Sequence, residues 1–142
     1  MRNAVALAVV VCLIAVPIAG GLPPGPATIR VTATLAFSKT MVDGSVLRVY
    51  RIYNRPQYLR MLGLDFQQCV AIATLGRIYQ SCREFFQFHR GQIVAIGLVR
   101  SLDFFRLAIT GGTGYYDNVG GSIIHNKIGP QTFSVLMNLS GS

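Results

Sequence analysis

The segment from Leu107 to Ile124 reads LAITGGTGYYDNVGGSII. A short apolar run leads into the block Gly111, Gly112, Thr113 and Gly114, and two tyrosines and a second glycine pair separate this block from another apolar run. Glycine has no Cβ atom and adopts backbone angles that other residues avoid. The segment therefore predicts two strands joined by a sharp turn at the glycine block.

A glycine-rich loop can also bind phosphate. Such loops need a Lys followed by Ser or Thr after the glycines, or a GxGxxG pattern that opens a helix. Here Tyr115 and Tyr116 follow the block, and strand-like residues follow them. We therefore favour a strand–turn–strand segment over a nucleotide site.

The chain before and after this segment has the patterns of strands. Apolar and polar residues alternate between Thr28 and Phe37, which places Ile29, Val31, Ala33, Leu35 and Phe37 on one face. Turn signals such as Asp43-Gly44 separate the apolar runs. Eight strands are predicted, at Thr28–Phe37, Ser45–Tyr53, Asp65–Thr74, Ile78–Phe88, Gln92–Val99, Asp103–Thr110, Gly121–His125 and Gln131–Leu139. Eight short, evenly spaced strands without a helix predict an all-β sandwich or a closed barrel.

The N-terminus has the pattern of a secretory signal peptide. Arg2 precedes an unbroken apolar run from Ala4 to Val16, and the small residues Ala19, Gly20 and Gly21 offer a cleavage site. The run is shorter than the roughly 20 residues that a membrane-spanning helix needs. We expect residues 1–21 to be a signal peptide, residues 22–27 a proline-rich lead-in, and residues 28–142 one secreted domain without a stable membrane anchor.

Two cysteines remain once Cys12 leaves with the signal peptide. An even number of cysteines in an oxidising compartment favours a disulfide. If Leu75-Gly76 is the centre of a hairpin, Cys69 and Cys82 lie directly opposite each other, where Cβ atoms are roughly 4.5–5.5 Å apart. We therefore predict a Cys69–Cys82 disulfide, with two unlinked core cysteines as the alternative.

The charge balance is strongly positive, with 13 Lys and Arg residues, 5 Asp and Glu residues and a net charge of +8. Positive charge attracts anionic surfaces but does not define a fold. One arginine-rich segment also carries tyrosines, and it contains Arg48, Tyr50, Arg51, Tyr53, Arg55, Tyr58 and Arg60. A solvated strand pair explains this segment more simply than a nucleic-acid surface, so no nucleic-acid partner is predicted.

His89 and His125 lack the companion residues of a metal site, and neither metal nor cofactor is predicted.

The segment from Cys69 to Gly97, together with the glycine block, resembles the allene oxide cyclase-like and dirigent protein superfamily. Its secreted bacterial members tend to carry a cysteine on each of two neighbouring strands, a Gly-Gln-Ile segment like the one at Gly91, and then a GGTG block. The similarity covers Cys69 to Leu139. It implies an eight-stranded antiparallel closed β-barrel that commonly forms homotrimers.

The resemblance also implies a function. The lumen of such a barrel binds a small hydrophobic or phenolic molecule and guides its cyclisation or stereoselective coupling without a cofactor. A non-catalytic, lipocalin-like barrel and a surface protein that binds anionic polymers are the alternatives. Two dirigent features are missing, because Gly120 stands where an arginine is expected and Thr34 to Phe37 contain no His-Asp pair.

Few polar residues are candidates for chemistry. Glu84 is the only glutamate and shares a strand face with Cys82. A carboxyl group buried in the lumen has a raised pKa and can donate or shuttle a proton. The alternative is an exposed glutamate that pairs with an arginine such as Arg83 or Arg100. Tyr116 and Asp117 are further catalytic candidates, and Tyr79 and Tyr115 are candidates for substrate binding, although such tyrosines often only pack.

Overall fold

The computed structural model describes residues 27–54, 60–74 and 76–141. The predicted signal peptide, most of the lead-in, Arg55 and Tyr58 lie outside the described residues. All eight predicted strands are present, and most are longer than the sequence indicated. They are β1 (Ala27–Thr40), β2 (Val46–Asn54), β3 (Met61–Thr74), β4 (Arg77–Phe88), β5 (Gly91–Val99), β6 (Phe104–Gly114), β7 (Val119–Gly129) and β8 (Thr132–Gly141).

The strands close into a barrel. Each strand pairs antiparallel with the next, and β1 pairs with β8 from Ala27 opposite Leu139 to Thr34 opposite Thr132. The prediction of an eight-stranded antiparallel closed barrel is therefore confirmed. Within the described residues, no helix is long and apolar enough to cross a membrane.

The interior of the barrel is filled by alternate side chains of every strand, as the two-residue period of a strand requires. On β4, for example, Cys82, Glu84 and Phe86 are buried while Arg83 and Phe85 are exposed. Most inward side chains are apolar. The interior also holds the polar side chains of Asp65, Gln67, Glu84 and His125, all of them buried.

One predicted face changes along β1. The sequence placed Phe37 with Val31 and Ala33, but the pairing of β1 with β2 shifts register between Leu35 and Phe37. An extra residue in one strand reverses which side later residues face. Phe37 is accordingly 49% exposed, while Val31 and Ala33 are buried.

The glycine block is the end of a strand and not the turn that the sequence indicated. Gly111 to Gly114 pair with β5, and the turn follows at residues 115–118. Glycine is required at Gly112 because a Cβ atom there would lie 2.3 Å from the carbonyl oxygen of Tyr116. At Gly114 the backbone has a φ of 63°, which also favours glycine. The block thus brings the chain close to its neighbours just before the turn.

The predicted disulfide is confirmed. Cys69 and Cys82 lie opposite each other in the β3–β4 ladder and are joined through their sulfur atoms. Both residues are 2% exposed, so the bond lies on the inner face of the barrel. The hairpin therefore has the register that the sequence predicted around Leu75-Gly76.

Candidate functional site

The two ends of the barrel carry different residues. The turns at residues 41–45, 100–103 and 130–131 lie at one end, which we call the Arg48 end. The turns at residues 89–90 and 115–118 lie at the other, which we call the Arg90 end. The candidate site is a polar network inside the barrel that reaches the Arg48 end.

Glu84 is at the centre of this network. Its side chain is fully buried, so the interpretation of Glu84 as an exposed partner of Arg83 or Arg100 is wrong. One carboxylate oxygen lies 2.8 Å from Nε2 of His125 on β7. The other accepts a hydrogen bond from the side-chain amide of Gln67 on β3. The alternation of β4 turns Glu84 inward, and the register of β3 places Gln67 directly opposite it.

Gln67 connects this carboxylate to the surface. Its Oε1 atom accepts a hydrogen bond of 3.1 Å from Nη1 of Arg48, while its amide nitrogen donates to Glu84. Only this orientation of the amide satisfies both partners, because arginine donates and a carboxylate accepts. A continuous chain of contacts thus runs from Arg48 through Gln67 and Glu84 to His125.

Aromatic rings hold His125 in place. The ring of Phe105 stacks on the imidazole with centroids 4.3 Å apart and planes 8° apart. Phe86 and Phe133 approach it at 6.2 Å and 6.1 Å. This packing leaves His125 2% exposed. Its Nε2 atom is directed at Glu84, so the imidazole and the carboxylate form a buried ion pair when His125 is protonated.

Asp65 lies on the same inner face of β3 as Gln67. It is fully buried, and neither carboxyl oxygen has a hydrogen-bond partner. Burial raises the pKa of Asp65 well above 3.8, and the nearby charge of Glu84 raises it further. Burial and the neighbouring Glu84 thus both favour the protonated form of Asp65.

A pocket of about 150 Å³ opens at the Arg48 end beside the network. Arg48, Tyr50 and Gln67 supply polar groups on its inner side, with Lys127 and Gln131 also in the lining. Burial raises the pKa of the Tyr50 hydroxyl, which keeps it protonated. Glu84 and His125 lie behind the pocket wall. Its other lining residues are Leu35, Leu102, Phe105, Pro130 and Phe133.

The other predicted site residues do not join Glu84. Tyr116 is buried in the turn at the Arg90 end, with Tyr115 against it, and Asp117 in the same turn is exposed. Tyr79 lies three residues before Cys82, on the outward register of β4, and so does not share the lumen. The residues predicted for catalysis and binding are thus distributed over two ends and two faces of the barrel.

Sequence reasoning missed Asp65, Gln67, Tyr50 and the role of His125. The hairpin register that pairs Cys69 with Cys82 also places Gln67 opposite Glu84, and Asp65 follows from alternation along β3. Those two positions could have been found from the sequence. His125 belongs to β7, which does not pair with β4, and nothing local indicates its approach. Within the described residues, no group of three or more His, Cys, Asp or Glu side chains could hold a metal ion.

The sequence matches no protein-family model and no curated protein. Solved structures do match. A pyocyanin demethylase aligns with a TM-score of 0.67 and 19% identity over 80% of this chain and 100% of its own. The pterocarpan synthase dirigent protein PsPTS1 aligns with a TM-score of 0.60 and 11% identity over 81% of this chain and 93% of its own. A second one, GePTS1, gives a TM-score of 0.59 and 9% identity over 81% and 88%. The closed barrel of eight antiparallel strands therefore has the same fold as these solved structures.

Proposed function

We propose that this barrel binds a small hydrophobic or phenolic molecule in its lumen and guides the cyclisation or stereoselective coupling of that molecule. The observation that carries the proposal is the pocket at the Arg48 end, where Arg48, Tyr50 and Gln67 meet aromatic and aliphatic walls. Three structures of the same fold bear names that refer to pyocyanin demethylation and pterocarpan synthesis. These names support a role in the chemistry of small organic molecules.

The size of the pocket limits what can enter. A cavity of about 150 Å³ holds roughly one benzene ring. Pockets for larger ligands begin at roughly 300 Å³. We therefore expect one ring or an equivalent apolar group to enter, while the rest of a larger ligand lies at the mouth against Leu102 and Pro130.

Arg48 and Tyr50 are the residues that would touch a ligand oxygen. The guanidinium of Arg48 donates hydrogen bonds, and the protonated hydroxyl of Tyr50 can donate or accept. The walls formed by Phe105 and Phe133 would restrict the ring to few orientations. Holding a reactive molecule in one conformation can by itself supply a large part of a rate enhancement.

Glu84 acts in this proposal as a positioning residue. It is one hydrogen bond behind the pocket and reaches the ligand through Gln67. The pair with His125 fixes the Glu84 carboxylate, which in turn fixes the Gln67 amide. Asp65, whose pKa is raised by burial, adds a second carboxyl group to the same interior. Such inward ionisable groups favour guided chemistry over the alternative, a non-catalytic lipocalin-like carrier with the same pocket.

Binding at the Arg48 end can be tested with 4-methylphenol, and with toluene as the probe that lacks the hydroxyl. We expect ligand-observed NMR to show tighter binding of 4-methylphenol, by about tenfold for one charge-assisted hydrogen bond. Arg48→Gln and Tyr50→Phe should each reduce this preference. Arg51→Gln is the matched control, because Arg51 is exposed on the outer register of the same strand. Equal binding of both probes, or equal loss in the Arg51 variant, would contradict the proposed site.

Guidance of a reaction can be separated from simple carriage. Small molecules that copurify from the natural host are identified by mass spectrometry and incubated with the protein, and products are analysed by chiral chromatography. Guided chemistry predicts an excess of one stereoisomer, which Glu84→Gln reduces while ligand binding persists. Unchanged ligand or a racemic product would support the carrier.

We also propose that the protein is secreted and that its copies associate as a homotrimer. The disulfide supports export to an oxidising compartment. Export would be supported by a mature N-terminus near residue 22.

Association is supported by an apolar area on the outside of β3, β4 and β5, because contiguous exposed apolar surfaces often mark interfaces. We call it the β3–β5 outer face; it contains Phe66, Val70, Phe85, Ile96 and Leu98.

A further inference from the structure

A second pocket lies at the Arg90 end of the barrel and takes no part in the function proposed above. Its volume is about 180 Å³, larger than that of the pocket at the Arg48 end. It lies between the start of β1, the start of β3 and the turns at residues 89–90 and 115–118. Its lining residues are Ile29, Leu62, Phe88, His89, Arg90 and Tyr116.

The inner part of this pocket is apolar. Phe88 is 7% exposed, and its ring lies 5.5 Å from that of Tyr116. Behind it, Phe86 stacks on Phe88 with centroids 6.3 Å apart. These two rings separate the pocket from the Glu84–His125 pair. A ligand in this pocket would therefore contact the Phe88 ring at its inner end and would not contact the polar network.

The rim of the pocket is cationic. The guanidinium of Arg90 lies 3.8 Å from the ring centre of Tyr115. The backbone nitrogen of Tyr115 donates to the Arg90 carbonyl oxygen at 2.9 Å, which holds the two residues together. The ion pairs formed within the described part of the chain, His125–Glu84 and Lys127–Asp103, do not include Arg90. Stacking on a ring leaves the N–H groups at the edge of the guanidinium available to an acceptor.

Tyr116 adds a neutral donor beside this cation. Burial raises the pKa of its hydroxyl, although the charge of Arg90 acts in the opposite direction. The hydroxyl is therefore protonated at neutral pH. A cation and a phenol at the rim of an apolar pocket form a complementary surface for a molecule with an anionic head and an apolar body.

We propose that the pocket at the Arg90 end binds a small amphipathic carboxylate, with its apolar body against Phe88, Ile29 and Leu62 and its carboxylate on Arg90. The planar fork of arginine matches a carboxylate with two parallel hydrogen bonds. The volume admits one ring with a short side chain. The barrel then has two ligand sites, one at each end, separated by the Phe86–Phe88 stack.

The test uses trans-cinnamate and, as the neutral probe of the same shape, cinnamamide. Titration calorimetry should show cinnamate binding to the wild type, weakened about tenfold or more by Arg90→Gln. Arg106→Gln is the matched control, because Arg106 is exposed on β6 and its substitution removes the same charge at a distant site.

Several outcomes would overturn the proposal. These are absence of saturable cinnamate binding, equal affinity for cinnamamide, or equal affinity in the Arg90 variant. If Arg90→Gln does not fold, the salt dependence of ligand affinity in the wild type tests the proposal instead. Cinnamate affinity should fall as salt rises while cinnamamide affinity does not, because only the ion pair is screened. A salt-independent cinnamate affinity would also refute the site.

Discussion

Nε2 of His125 lies 2.8 Å from Oε2 of Glu84, and the two residues belong to strands that are not neighbours in the barrel. Their side chains are 3% and 0% exposed. A buried charge without a partner is costly, so each member of this pair constrains the other. The contact crosses the lumen from β7 to β4 and orders the polar interior.

The first prediction concerns the coupling of this pair. Glu84→Ala and His125→Ala should each lower the free energy of unfolding by about 3–5 kcal/mol, because each leaves a buried group without its partner. The loss of unfolding free energy in the double variant should be clearly smaller than the sum of the two single losses. Urea denaturation measures all three, with Arg106→Ala on the outer face of β6 as the control. Additive losses would show that the pair is not coupled.

The second prediction concerns pH and Asp65. The folded state raises the pKa of this carboxyl above 3.8, so it keeps a proton that the unfolded chain releases. Stability from this group is full below pH 3.8 and is lost as pH rises toward the folded pKa. Asp65→Asn removes that loss. The variant should therefore gain stability relative to the wild type between pH 4 and pH 7, by about 1 kcal/mol or more.

Thermal unfolding followed across this pH range checks the prediction for Asp65. The decisive quantity is the difference between the two curves, because the two proteins differ only at residue 65. A difference that stays constant with pH would mean that Asp65 is ionised in the folded protein.

The third prediction concerns the disulfide between Cys69 and Cys82. Its half-cystines are 13 residues apart, and replacing both by alanine should cost about 3 kcal/mol on the chain-entropy estimate. Reductant should destabilise the wild type by a similar amount and leave the variant unchanged. Intact mass should rise by two hydrogen atoms on reduction. A wild type that is insensitive to reductant in both measurements would contradict the bond.

The fourth prediction concerns the close approach at Gly112. A Cβ atom there meets two backbone oxygens at 2.3 Å and 2.6 Å, so Gly112→Ala should destabilise the barrel by about 1–3 kcal/mol. Gly129→Ala is the control, because its nearest neighbour would be 3.6 Å away. Denaturant midpoints compare the two. Equal midpoints would show that the turn after β6 adapts without cost.

The fifth prediction concerns the β3–β5 outer face. Phe85 lies opposite Phe66 within this face, and Phe85→Lys should convert the proposed trimer into a monomer, since a charge there cannot be buried without a partner. Phe104→Lys, at a phenylalanine that is 62% exposed on β6, should leave the mass unchanged. Light scattering coupled to size exclusion measures both. A monomeric wild type would refute the association.

The strands and one hairpin could be predicted from the sequence, because their signals are local. The two-residue alternation from Thr28 onward and turn signals such as Asp43-Gly44 indicated eight strands. The symmetry of the hairpin around Leu75-Gly76 placed Cys69 against Cys82. The same symmetry contains the pairing of Gln67 with Glu84. Residues a few positions apart, or mirrored about a tight turn, have their relation determined by backbone geometry alone.

Two features depended on the register between paired strands. These are the bulge that turns Phe37 outward and the pairing of the glycine block with β5. The approach of His125 to Glu84, 41 residues away, depended on closure of the whole barrel. Alternation determines only which face of a strand a side chain occupies. Which side chains meet across the lumen depends on the stagger of all eight strands, and that stagger exists only once β1 has paired with β8.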